Sequence, residues 1–104
     1  GAIESYKRTL SLDPKNVDVH TNLGVALGKK GDLDGTISSY KQALSIDPNH
    51  TNAHCNLGFV LKKKGDLDGA ISSYKQALSL DPTHANARKN FELVLRLKQQ
   101  GAAS

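Results

Sequence analysis

Residues 65–82 read Gly-Asp-Leu-Asp-Gly-Ala-Ile-Ser-Ser-Tyr-Lys-Gln-Ala-Leu-Ser-Leu-Asp-Pro, and residues 31–48 carry almost the same letters. The second part of this stretch returns, less well kept, over residues 1–14. Pro14, Pro48 and Pro82 are the three prolines of the chain, each 34 residues from the next. A fixed period of this length marks a repeat architecture, built from supersecondary units that cannot bury their apolar faces alone.

Within the stretch, Ile71, Tyr74, Ala77 and Leu78 fall three to four residues apart, one face of a helix. Asp81-Pro82 ends that helix, because the residue before a proline is pushed out of the helical region. Upstream, Ala53, Leu57, Val60 and Leu61 form a second helical face, and Gly65 stops it as a left-handed C-cap glycine does. The preceding copy repeats the plan with Val19, Leu23, Ala26 and Leu27, then Ile37, Tyr40, Ala43 and Leu44. Asn16 is placed as the N-cap of its first helix, and Asp32 or Asp34 as the start of its second.

The chain therefore divides, as a single all-α domain, into residues 1–16 (the second helix of a unit, carrying Ile3, Tyr6 and Leu10), full units at 17–50 and 51–84, a capping helix at 85–100 with Phe91, Val94, Leu95 and Leu97, and a frayed tail at 101–104. About two-thirds of positions are identical between the two full units. The order of elements predicts a unit whose first helix lies upstream of Gly1.

Composition narrows the function classes. Aromatics make up 5% of the chain and Trp is absent, so the core must be Leu, Ile, Ala and Tyr, which suits stacked helices. The formal charge of +4 arises from 14 basic and 10 acidic residues that form no single block. Lys29-Lys30 and Lys62-Lys63-Lys64 sit at helix ends before a glycine, where cations meet the negative end of the helix dipole. A nucleic-acid stripe also needs interleaved aromatics, so no nucleic-acid partner is expected. The lone Cys55 excludes an internal disulfide framework and fits a reducing, cytoplasmic compartment. No apolar run approaches the roughly 18 residues of a membrane span, and no membrane partner is expected.

The residues that recur at the 34-residue spacing are His20, Leu23, Gly24, Leu27, Thr36, Tyr40 and Pro48, then His54, Leu57, Gly58, Leu61, Ala70, Tyr74 and Pro82. This series resembles the tetratricopeptide repeat (TPR), with its W-x2-L-G-x2-Y, A-x3-F and P pattern. His replaces the Trp in both units and Thr36 replaces one Ala. The resemblance covers essentially the whole chain. It implies a right-handed α-solenoid of six helices in antiparallel pairs, with the first helices lining a concave groove.

Reading equivalent places along the first helices gives Asn22, Asn56 and Asn90, three amides at the repeat spacing. A primary amide both donates and accepts, so it can bracket a peptide backbone without reading its side chains. The ladder resembles those of superhelical family members that hold extended peptides, such as the O-GlcNAc transferase repeats. Neighbouring places add Asp18, Asn52 and Asn86, then Thr21, Cys55 and Lys89, then the apolar strip Val25, Phe59 and Leu93. The alternative is that these asparagines are a solvated surface, kept in register by duplication of the unit. Chaperone-binding family members clamp a terminal carboxylate with Lys and Arg; the corresponding places here hold Asn52, Asn56, Asn86 and Asn90 and no cation, which argues against that clamp.

Reactive chemistry is sparse. His50 and His54 are four apart, but His50 precedes the helix and His20 and His54 take the packing Trp place, so capping or packing is expected rather than a metal site. Cys55 has no His or Asp partner placed by the sequence, and no phosphate loop, paired-carboxylate motif or nucleotide fingerprint is present. No enzyme, cofactor or metal is expected.

Three functions remain. The first is an interaction module binding an extended peptide or partner helix along the groove. The second is a structural solenoid that self-associates end to end through the open N-terminal helix, against which stands Glu92 at the place of Gly24 and Gly58. The third is a regulatory segment of a larger protein.

Overall fold

The computed structural model describes residues 1–103. Its elements are α1 (Ala2–Leu12), α2 (Val17–Lys29), α3 (Leu33–Ile46), α4 (Thr51–Lys63), α5 (Leu67–Leu80) and α6 (Ala85–Ala103), with no strand among the described residues. The helices stack as a solenoid of antiparallel pairs, α2 on α3 and α4 on α5, with α1 before and α6 after. The radius of gyration is 14.2 Å, against about 13 Å for a compact chain of this length, and the extents are 48 × 27 × 19 Å. The stack is therefore elongated. α4 touches α6, whereas α3 and α5 make no comparable contact, so the first helices of the units lie on the inner side of the curve.

The turns follow from glycine and its neighbours. Gly31 and Gly65 take φ of +90° and +91°, a region open to glycine at little cost. At each, the amide of the following Asp donates to a carbonyl five residues back (Asp32 N to Leu27 O, Asp66 N to Leu61 O, both 2.9 Å), and the glycine amide donates three residues back. This paired pattern is a Schellman motif. Asp32 and Asp66, rather than Asp34 and Asp68, are the N-caps: each Oδ1 accepts from the amide three residues on, Gly35 or Gly69, at 2.9 Å. Asp34 and Asp68 instead pair with Lys64, the C-cap residue of α4, and with Lys98 of α6, the latter at 2.5 Å.

The histidines have local backbone roles. The Nδ1 atoms of His50 and His84 accept from the amides of Ala53 and Ala87, each at 3.1 Å, and so cap α4 and α6. His20 and His54 reach back through Nε2 to the carbonyls of Pro14 and Pro48 at 2.8 Å. The ring at the family's Trp place thus ties the start of a first helix to the loop before it.

The core is centred on the second unit. Tyr74, Ala70, Ala77, Ala53, Ala87 and Val94 are fully buried, with Leu57, Val60 and Leu61 around them. Tyr74 lies against Gly58, and Tyr40 against Gly24, where a built Cβ would stand 2.9 Å and 2.6 Å from the ring. Two expectations are corrected, the groove position of Cys55 and the end of α6. Leu95 is exposed on α6, whose buried residues are Ala87 and Val94. Cys55, expected in the groove, is buried in the core cluster, and burial pushes its thiol up from its ordinary value. Ser39 and Ser73 are buried although polar. The helix expected to end at Gln100 continues to Ala103: no atom crowds Gly101, and alanines extend a helix readily; Ser104 lies outside the described residues.

The Tyr74 hydroxyl is buried with no hydrogen-bond partner among the described residues. Desolvation, aided by the nearby Cys55, pushes its phenol up to about 12, from about 10 in an unfolded chain. A raised phenol pKa contributes stability that is complete below pH 10 and lost as pH rises from there towards 12. Tyr74→Phe removes an uncompensated hydroxyl while keeping the ring, so its stability at neutral pH is expected to equal or exceed that of the wild type. Urea melts at pH 7 and pH 11 check this: the variant's advantage should widen at pH 11, and a loss of more than about 1 kcal/mol at pH 7 would mean the hydroxyl is satisfied.

Candidate functional site: the inner face of the first helices

The inner face is built from α2, α4 and α6. Helical spacing places Asn22, Asn56 and Asn90 at one position of each, with Asn22 exposed and the other two half-buried. Asn52, Asn86 and Lys89 are exposed, and Leu93 is half-buried. Asn52 is also engaged: its Oδ1 lies 3.4 Å from His84 Nε2. It is thereby held towards the loop before α6.

Val25 and Phe59 are large apolar side chains left 40% and 42% exposed. The structure brings them together at a pocket of about 260 Å³ between α2, α3 and α4. Gly24 and Gly28 form its α2 wall, and Leu33, Thr36 and Tyr40 its α3 wall. Thr36 is fixed there, its hydroxyl 3.0 Å from the Gly24 carbonyl and 2.9 Å from the Asp32 carbonyl. Thr36 therefore bridges the two helices at a place where the second unit has only Ala70. Leu93 is not part of this pocket.

Lys29 and Lys63 also line the pocket. Lys62 and Lys63 hold their ammonium groups 5.2 Å and 4.8 Å from the centroid of the Phe59 ring. Among the described residues, Lys29, Lys62 and Lys63 have no carboxylate within ion-pair distance, unlike Lys64 and Lys98. The lysine runs complement helix ends, as their sequence position suggests, yet two of these cations also edge an apolar pocket. The spacing of α2 alone could not show this, because the second cation comes from α4, 34 residues on.

Family models extend over most of the molecule. One described as TPR repeat matches residues 1–31 and 29–65, and one described as tetratricopeptide repeat matches residues 51–84. The chain belongs to the tetratricopeptide repeat family. Among solved structures, this TPR chain is similar to the MamA protein, with a TM-score of 0.90, 26% identity, and coverage of 93% of this chain and 53% of that one. It is similar to a Thermobaculum terrenum O-GlcNAc transferase (K341M mutant), with a TM-score of 0.82, 28% identity, and coverage of 89% of this chain and 18% of that one. The first TPR of Spaghetti (RPAP3), bound to an HSP90 peptide, shares the fold at a TM-score of 0.87 and 22% identity, covering 98% of this chain and 78% of that one. The TPR segment thus spans about half of the MamA chain and under a fifth of the transferase chain. No curated protein sequence matches it. Among the described residues, no group of three or more His, Cys, Asp or Glu side chains could hold a metal ion. No described helix is long and apolar enough to cross a membrane.

Proposed function

We propose that this chain is a protein-interaction module that binds an extended peptide, or the exposed face of a partner helix, along the inner face of α2, α4 and α6. The observation that carries this reading is the convergence of two exposed apolar side chains, Val25 and Phe59, on one pocket of a face otherwise rich in amides. Asn22, Asn56 and Asn90 bracket the ligand backbone, with Asn52, Asn86 and Lys89 beside them, while Val25, Phe59 and Leu93 receive apolar side chains. A related repeat domain that holds a peptide supports it by analogy of fold. The chain itself carries no catalysis and needs no cofactor.

The test is selection from a random dodecapeptide library displayed on phage, against wild type and against Asn22→Ala/Asn56→Ala/Asn90→Ala. Peptides held by wild type should bind the triple variant at least about tenfold more weakly, as expected when two or three net hydrogen bonds of roughly 0.5–1.5 kcal/mol each are removed. Circular dichroism should show the helices intact. Equal binding by both proteins makes the ladder a solvated surface inherited by duplication.

A second reading, end-to-end self-association, is favoured by one observation: Leu12 of α1 is 84% exposed, beside the half-buried Ile3, Tyr6 and Leu10. Glu92 opposes it. The tyrosine of a docking second helix presses on Gly24 and Gly58, and Glu92 holds that place on α6. Light scattering that gives a monomer at high concentration removes this reading.

A further inference from the structure

The two full units are near copies, and they differ at the pocket. Gly28 of α2 becomes Lys62 in α4, Val25 becomes Phe59, and the Lys63 that edges the pocket becomes Leu97 in α6. In the equivalent place one unit further along, a lysine stands where Gly28 leaves room, and a leucine stands where Lys63 supplies charge. The pocket is thus a local departure from the repeat, whereas α3 and α5 differ only at Thr36/Ala70 and Ile46/Leu80.

Its chemistry is two-part. The floor is apolar and aromatic: Val25, Leu33, Tyr40, Phe59 and Val60. The rim carries Lys29 and Lys63, with Lys62 on the same Phe59 ring, and among the described residues no carboxylate neutralises any of the three. Three ammonium groups gathered around one aromatic pocket repel one another and leave a positive potential at its mouth. An apolar side chain flanked by carboxylates answers both parts at once. Nucleic acid fits less well, since Phe59 is the only exposed aromatic on the pocket and a single ring makes no stacking track.

We propose that the partner of this pocket is an acidic peptide segment with a single apolar anchor. The anchor, of the size of Leu, Ile or Phe, enters between Val25 and Phe59, and flanking Asp or Glu side chains pair with Lys29 and Lys63. This rests on the peptide-binding reading above and adds the ligand's chemical class. The pairs are solvent-facing, so they contribute selectivity and salt dependence more than affinity.

The experiment reads the sequences recovered from the unbiased dodecapeptide library, then measures their affinity by fluorescence polarisation. Recovered peptides should be enriched in Asp and Glu next to one Leu, Ile or Phe. Lys29→Glu/Lys63→Glu should bind them at least about tenfold more weakly at low salt, with the gap closing towards high salt. Gly28→Lys, which copies the residue that the second unit already carries in a folded helix, should abolish anchor binding although it adds positive charge. Recovered peptides that are neutral or basic, lost in the asparagine variant but indifferent to both pocket variants, overturn this inference and leave the groove reading standing. A single-stranded oligothymidine that competes as well as the peptides also overturns it, as a mere polyanion surface. Recovery of no peptide overturns both.

Discussion

Tyr74→Ala is expected to destabilise the chain by about 3–5 kcal/mol, the loss seen when large aromatic residues are truncated in packed cores. Domains of this size have about 5–15 kcal/mol of total stability, so a large share would go with one ring. Tyr74 is fully buried at the centre of the cluster that joins α3, α4, α5 and α6. Its ring fills the space against Gly58, and the alanines of its cluster at 70, 77 and 87 have no side chain long enough to refill it. Thermal melts followed by circular dichroism should show the midpoint fall by more than about 10 °C. The same truncation at half-buried Tyr6, on α1, should cost distinctly less. If Tyr74→Ala loses under about 1 kcal/mol, the second unit is not organised around this ring.

The second large effect concerns two glycines on one helix with opposite outcomes. A Cβ at Gly24 would lie 2.6 Å from Tyr40 Cε1 and 2.9 Å from Cδ1. The obstacle is the body of a buried ring, not the end of a flexible chain, so Gly24→Ala is expected to cost about 1–3 kcal/mol by overpacking. Gly28, one turn on, faces Thr36 Oγ1 at 3.4 Å, an ordinary contact. Gly28→Ala should therefore stabilise α2 by up to about 1 kcal/mol through helix propensity. Chemical denaturation of both variants decides it. Two changes of the same sign would show that Tyr40 yields, or that intrinsic propensity outweighs packing here.

The architecture was legible because the repeat writes each rule more than once. Three prolines at equal spacing, a glycine before each Asp-Leu-Asp, and apolar residues three and four apart fix helix type, turns and unit length. Side-chain destinations were less legible. Cys55 was expected in the groove and is buried, because its helix is covered on that side by its neighbours, which periodicity within one helix does not report. Thr36, Ser39 and Ser73 are buried against the polar tendency of their side chains, since the close approach of helices leaves room only for small residues. The choice between Asp32 and Asp34 turned on two residues of register, which both carboxylates satisfy in sequence. The pocket of Val25, Phe59, Lys29 and Lys63 needs two helices of different units side by side. The asparagine ladder could be read straight off the period, yet its meaning could not, because duplication alone also keeps residues in register.

In every extensive contact, a helix meets one that is next in the chain, or next but one in the case of α4 with α6. A polypeptide leaving the ribosome with this layout never has to hold an apolar segment in waiting for a distant partner. Each emerging helix finds its mate within a few tens of residues, so loop-closure entropy is small at every step and sticky surface is short-lived. The molecule is in this sense assembled in the order in which it is written, and lengthening it by another unit leaves the assembly of the earlier ones unchanged.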